Sequence, residues 1–214
     1  MKNISASQFR LFVAACRSVG REYDLVRCSS GNMSWRVDAE RMLVTATRSW
    51  LPRLTATQVS VLRLRDGAVL NGVKPSVEAG FHRGVLLARP EARVVLHFQS
   101  PFVTTLSCCD GVETTNFFVT PEVPYYIGEI GIVPFLQPGS AELADAVIGV
   151  LKTRGMVVLR NHGAVTVGVT FDEAIQKAVF FELACQAIVL AGKKVRAMPT
   201  KESDFLQRES GRGV

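Results

Sequence analysis

Hydrophobic positions recur along the chain in two rhythms, and the switches between them mark out its elements. Phe9, Phe12, Val13 and Cys16 share one side of a 3.6-residue repeat, predicting an amphipathic helix over about 7–19 that stops at Gly20. Residues 33–37 and 42–46 read as two strands joined by polar positions. Thr55-Ala-Thr-Gln58 has the form of a capping box and predicts one helical turn. Residues 59–64 and 68–70 flank Asp66-Gly67, a hairpin signal. After Lys74-Pro75-Ser76 comes a helix over about 77–88, ended ahead of Pro90. Residues 94–97 form an apolar strand, and Ser100-Pro101 opens another helix. From 114 to 138 the pattern gives only strand-like pieces broken by prolines and glycines. Ser140 caps a helix to about 152, residues 156–160 and 164–167 are strands about Asn161-His162-Gly163, and Thr170-Phe-Asp-Glu173 opens a long helix to about 191. From about 198 the tail is polar, with the composition of a mobile segment.

No repeat, low-complexity tract or linker divides residues 1–214. Hairpin-connected strands with segregated helices predict a single α+β domain built on a largely antiparallel sheet. Composition narrows this further. With 48% hydrophobic and 21% charged residues the chain is ordinary globular material, and no continuous apolar run approaches the roughly 20 residues that span a bilayer, so no membrane association is expected. The net charge of +6 is scattered, without a dense basic run or basic-aromatic interleave, so no nucleic acid is expected either; a phosphate-bearing small molecule suits such a balance. Five cysteines, an odd number with no C-x-x-C, argue for a reduced, cytoplasmic protein. Val13-Ala14-Ala15-Cys16 imitates a lipoprotein cleavage box, but Gln8 and Arg10 interrupt the segment before it.

The polar groups that a fold does not need cluster in a few places. In Val94-Val-Leu-His-Phe-Gln-Ser-Pro101, His97 and Gln99 point to the same side of a buried strand. His162 ends another apolar strand, and neutral imidazole is a good ligand for zinc and similar ions. Glu78 lies four residues before His82. Its carboxylate either favours the positive end of its helix, which the spacing alone supports best, or is held to bind metal or move a proton. His82 reads as structural, hydrogen-bonded to Glu78. Ser29-Ser30-Gly31-Asn32, Thr45-Ala-Thr47-Arg48-Ser49 and Lys74-Pro-Ser76 combine hydroxyls, a glycine and a helix start, a set suited to phosphate, although each piece alone reads as a turn or cap.

In order and spacing these pieces resemble the class II aldolase/adducin family. The matching elements are Ser29-Ser-Gly-Asn-Met-Ser34, Val44-Thr-Ala-Thr47, Lys74-Pro-Ser-Val-Glu78, Arg89-Pro90, Val94-Val-Leu-His97, Pro138-Gly-Ser140 with Glu142-Leu143, and Asn161-His-Gly163, spanning about 25–190. The resemblance implies α/β/α layers, a homotetramer with sites where subunits meet, and a divalent metal, usually zinc, on three histidines beside a glutamate. By position His97 and His162 take histidine ligand roles and Glu78 that of the glutamate. Ser29, Gly31, Asn32, Thr47 and Ser76 match the phosphate loops.

Three departures qualify the match. The family's His-x-His is His97-Phe98-Gln99 here, so the third ligand would be an amide oxygen, shifting preference toward manganese or magnesium. Arg48 stands where glycine is usual and could clamp a phosphate or carboxylate. Only Tyr125 and Tyr126 are near candidates for the tyrosine proton donor. The first expectation is a sugar-phosphate lyase resembling L-fuculose-1-phosphate aldolase, releasing dihydroxyacetone phosphate and an aldehyde. Alternatives are a 3-oxo-tetronate 4-phosphate decarboxylase, which Arg48 favours, a ribulose-phosphate 4-epimerase or a methylthioribulose-phosphate dehydratase. An adducin-like, non-catalytic scaffold stands as the alternative of another class.

Overall fold

In this computed structural model, residues 4–210 are described. The elements are α1 (Ala6–Arg21), β1 (Asn32–Arg36), β2 (Arg41–Thr45), β3 (Val59–Arg63), α2 (Ala79–Ala88), β4 (Val94–Phe98), α3 (Pro101–Ser107), β5 (Ile130–Val133), α4 (Ala141–Leu151), β6 (Met156–Leu159), β7 (Gly163–Gly168), α5 (Phe171–Ala191) and α6 (Thr200–Glu209). The strands form one seven-stranded sheet in the order β3-β2-β1-β4-β7-β6-β5, antiparallel throughout except for the β5–β6 pair.

Alternation along the central strand β4 sorts the layers. Val94, Leu96 and Phe98 pack with Phe12 of α1, Val103 of α3 and Phe181 of α5. Val95, on the other face, packs with Phe81 and Val85 of α2 and Leu143 and Val147 of α4. The predicted α/β/α sandwich around a largely antiparallel sheet is the observed one. α5 is long and apolar enough by length and composition to cross a membrane, although charged residues interrupt its sequence. In this fold it is a core helix, burying Ala174, Ala178, Phe181, Ala184 and Cys185 against the sheet.

Several boundaries differ for local reasons. α1 runs through Gly20, which packs against Pro52, and closes when Glu22 N–H bonds the Ser18 carbonyl. The arm at 68–70 is only a bridge, Leu62 to Val69, because Asn71 binds the β3 edge with its side chain, accepting from Val61 N–H and donating to the Val59 carbonyl. α2 begins at Ala79 and not at 77: Ser76 N–H bonds the Thr45 carbonyl at 3.0 Å and holds the 74–76 segment against the end of β2. The tail expected to be mobile from 198 instead forms α6. Met198 N–H bonds the Phe118 carbonyl at 2.7 Å, Pro199 starts the helix with its fixed φ, and Ser203 is buried. Residues 211–214 of that tail lie outside the described residues.

Candidate metal centre

The register of β1 on β4 sets Asn32 opposite His97 and Ser34 opposite Val95. Opposed residues share a face, so Asn32, Ser34 and His97 all look toward α2. His97 ends the strand, and its Nδ1–H donates to the Ala164 carbonyl of β7 at 3.0 Å, which leaves the Nε2 lone pair facing away from the sheet. His162 occupies the β6–β7 turn after Asn161, whose φ of 54° is left-handed. A Cβ on Gly163 would lie 2.5 Å from the Phe98 carbonyl oxygen, so glycine there lets β7 close on β4 and bring the two imidazoles to 4.7 Å between centroids.

Glu78 precedes α2, but its carboxylate caps no backbone N–H of the helix. The helix-end role that its spacing favoured is therefore not what the side chain does. It turns inward, Oε2 lying 3.6 Å from His97 Nε2 and Oε1 3.7 Å from His162 Nε2. Two ligands at about 2.1 Å from one tetrahedral ion stand about 3.4 Å apart, so these gaps have the size that a shared ion sets. Oε1 is buried and receives no hydrogen bond, and such a group costs about 1–3 kcal/mol unless something else satisfies it. One donor atom from each of Glu78, His97 and His162 lies within 4.8 Å of the others. The residues present fit a divalent cation.

Electrostatics agree with that arrangement. Burial, then repulsion from His97, pushes His162 down to about 4 against the pull of Glu78. Burial opposes the charge on Glu78, but His97, the Asn32 amide and His162 together outweigh it and hold its carboxyl below the ordinary value. Metal-free, the site holds an ionised Glu78 carboxylate beside a neutral His162 imidazole, the protonation states that ligation needs of both.

His82 departs from expectation. It bonds not to Glu78 but to Ser34 Oγ through Nδ1 and to Asn32 Oδ1 through Nε2, while Asn32 Nδ2 donates to Glu78 Oε2 at 2.7 Å. Asn32, expected on phosphate, thus has both ends of its carboxamide engaged by other side chains. The signal was present in the sequence, since Ser34 follows Asn32 by two strand positions and His82 follows Glu78 by one helical turn.

All ten residues singled out beforehand line one cavity of 280 Å³: Ser29, Gly31, Asn32, Thr47, Arg48, Ser76, Glu78, His97, Gln99 and His162. Ser30, Ala46 and Ser49, which lie in the stretches suited to phosphate, complete the wall together with Val77 and Pro138, to which the sequence assigned no site role. Gly31, with φ of 70° and no room for a Cβ beside the His97 carbonyl, brings the hydroxyl loop against the end of β4. Arg48 also holds a left-handed φ, 58°, and among the described residues no hydrogen bond or ion pair engages its exposed guanidinium. Tyr125 and Tyr126 lie in the π-helical turn Val123–Ile127, and no tyrosine lines the cavity. A larger groove of 610 Å³ between α1 and α5 carries Glu22, Tyr23, Asp172 and Glu173 but none of the histidines, so chemistry assigns the site to the smaller cavity.

The model of the class II aldolase and adducin N-terminal domain matches residues 10–189. The chain belongs to that family. A 3-oxo-tetronate 4-phosphate decarboxylase of Haemophilus influenzae is 36% identical over 83% of this chain and 86% of its own length. An L-fuculose phosphate aldolase of Methanococcus maripaludis is 31% identical over 82% and 92%. The crystal structure of YgbL from Klebsiella pneumoniae superposes with a TM-score of 0.86 at 30% identity, covering 95% of this chain and all of that one. The two sequence relatives divide over the reaction, and the solved structure shares the fold.

Proposed function

We propose that the chain is a metal-dependent lyase that decarboxylates a 3-oxo sugar-acid phosphate of the 3-oxo-tetronate 4-phosphate class. One observation carries the choice: the Glu78–His97–His162 centre shares its cavity with Arg48, a cation that no side chain among the described residues neutralises. An acid phosphate brings two anionic groups to such a cavity, a sugar phosphate only one. The higher identity to a decarboxylase supports the same reading, reversing the order in which the sequence motifs ranked aldolase and decarboxylase.

The proposed roles follow from position. His97 and His162 would hold the ion, with Gln99 offering its amide oxygen from the same wall and the Glu78 carboxylate facing it. The ion supplies Lewis-acid polarisation of the substrate carbonyl. Ser29, Thr47 and Ser76, with the backbone at Gly31, seat the phosphate, and Arg48 pairs with the carboxylate. Breaking the bond to the carboxylate releases CO2 and leaves the electron pair on the carbon beside the carbonyl, delocalised onto the carbonyl oxygen. That carbon must then gain a proton, which Glu78 carries on Oε1 and recovers from water, giving dihydroxyacetone phosphate. The donor set suits zinc, with manganese or magnesium if Gln99 ligates. A homotetramer with the cavity at a subunit boundary fits the exposed apolar rim at Val77, and a cytoplasmic setting fits the five free cysteines.

The second reading is the aldolase, favoured by the relative at 31% identity and disfavoured by the cavity's lack of a tyrosine. The test is metal-reconstituted protein assayed for CO2 and dihydroxyacetone phosphate from 3-oxo-tetronate 4-phosphate, beside aldehyde release from L-fuculose 1-phosphate. Turnover of the acid, lost in His162→Ala, supports the decarboxylase. Turnover of the ketose alone transfers the assignment to the aldolase. Metal-free protein inert on both would return the scaffold reading.

A further inference from the structure

We propose that His82 and Ser34 are positioning residues that act through Asn32 to select which oxygen of Glu78 is free to work. The inference rests on the reading of Glu78 as the proton-carrying group that faces the metal.

The direction of every bond in the row follows from what each group can donate. An ionised carboxylate only accepts, so Asn32 must present Nδ2 to Glu78 Oε2, 2.7 Å away. Its Oδ1 then faces His82 Nε2 within hydrogen-bond distance, and that nitrogen must carry the imidazole proton. Nδ1 is left with the lone pair, and Ser34 Oγ–H, 2.8 Å away, donates to it. Ser34, His82, Asn32 and Glu78 thus form one row of donors aimed at Oε2. Any other tautomer of His82, or a flipped Asn32 amide, sets two donors or two acceptors face to face.

The row is shut off from water. Ser34 and His82 are fully buried, and Asn32 and Glu78 are 7% and 5% exposed. Burial also keeps His82 neutral, holding it near 3, so the row does not reverse by protonation at neutral pH. Both strand members sit on β1, paired residue for residue with the strand that carries His97, so the row and the imidazole are referenced to the same backbone. The result is an asymmetric carboxylate. Oε2 is pinned by an amide, whereas Oε1 is buried, unpartnered and 3.7 Å from His162 Nε2. A carboxylate free to rotate would share its two oxygens among these roles; this one assigns them.

Three histidines make the protein tractable for long-range 1H–15N NMR, with His82→Phe giving the assignment. In metal-free wild type, His82 is expected as the Nε2–H tautomer from pH 8 to pH 6; an Nδ1–H pattern overturns the proposal, whatever the enzyme does. Among the described residues Ser34 is the donor to Nδ1; Ser34→Ala removes it while changing little volume, and is expected to keep the Nε2–H tautomer that Asn32 Oδ1 fixes while shifting the 15N resonance of the Nδ1 that has lost its donor. An unshifted Nδ1 resonance in that variant overturns the coupling. In metal-loaded protein, Ser34→Ala and His82→Phe are expected to keep metal stoichiometry and KM within about twofold while kcat falls roughly 10- to 100-fold, the usual cost of losing an outer partner. A shifted Nδ1 resonance with unchanged kcat overturns the positioning role. If wild-type protein binds no metal and turns over neither substrate, the functional reading fails on its own, and the tautomer result still decides whether the row exists.

Discussion

Replacing Arg48 with glycine separates what this residue costs the fold from what it does for a substrate. Its φ of 58° lies in the left-handed region, which costs an ordinary side chain about 1–2 kcal/mol. Glycine removes that strain but loses about 0.5–1 kcal/mol through a freer unfolded chain. The difference is a net gain of about 0–1.5 kcal/mol. At roughly 2–4 °C per kcal/mol for a chain of this size, the melting temperature should stay level or rise by up to about 6 °C. Activity should move the other way. A hydrogen-bonded pair with a charged group contributes about 1.5–3 kcal/mol, so kcat/KM on 3-oxo-tetronate 4-phosphate should fall roughly 10- to 150-fold. Differential scanning calorimetry and steady-state kinetics on the same preparations measure both. Arg48→Lys, which keeps the charge but loses the planar fork, should fall between the two. A kcat/KM within about threefold of wild type would refute the substrate role. A melting temperature lowered by several degrees would mean that Arg48 holds the loop together and that the strain argument is mistaken.

Metal content per chain should be near-stoichiometric in reconstituted wild type and lost in His162→Ala, while Gln99→His should tighten zinc; equal metal in all three by plasma emission would remove His162 from the centre. Gly163→Ala pushes a Cβ to 2.5 Å from the Phe98 carbonyl oxygen and 2.9 Å from Gln99 Cγ, and should cost about 1–3 kcal/mol, read as a clear drop in melting temperature; an unchanged melt would show that the β4–β7 pairing has slack there. The folded pKa of His82, about 3, lies below its unfolded value near 6.5, so the unfolded chain binds the proton first as pH falls. Stability is therefore full above about pH 6.5 and declines toward pH 3 at up to about 1.4 kcal/mol per unit, with His162 and Glu78 adding in the same sense. Urea midpoints of metal-free protein at pH 7, 5.5 and 4 should fall more steeply for wild type than for His82→Phe; parallel slopes would remove His82 from the acid response.

The site was legible where a local pattern reports orientation. Two-residue alternation placed His97 and Gln99 together and Phe98 opposite, and the cavity wall holds the first pair while Phe98 enters the core. Likewise Asp66-Gly67 located a turn but not the missing arm, because Asn71, four positions beyond Gly67, takes the strand edge with a side-chain amide. The polar tail after 198 was misread for a related reason: a short amphipathic helix is marginal alone, and α6 exists by packing against the turn Val123–Ile127.

What the sequence determined by itself was which residues share a face, where the elements break, and which groups have no work in a core. Periodicity carries that information because it belongs to each element separately. What only the tertiary structure decided was which faces meet. Glu78, His97 and His162 come from three separated segments and converge because β1, β4 and β7 are neighbours in the sheet and α2 covers the face that His97 occupies. The turn of the Glu78 carboxylate away from its helix, and the partnership of His82 with Asn32 and Ser34, follow from that convergence. Burial leaves each polar atom only the partners that packing brings within about 3 Å, and no one-dimensional pattern encodes them.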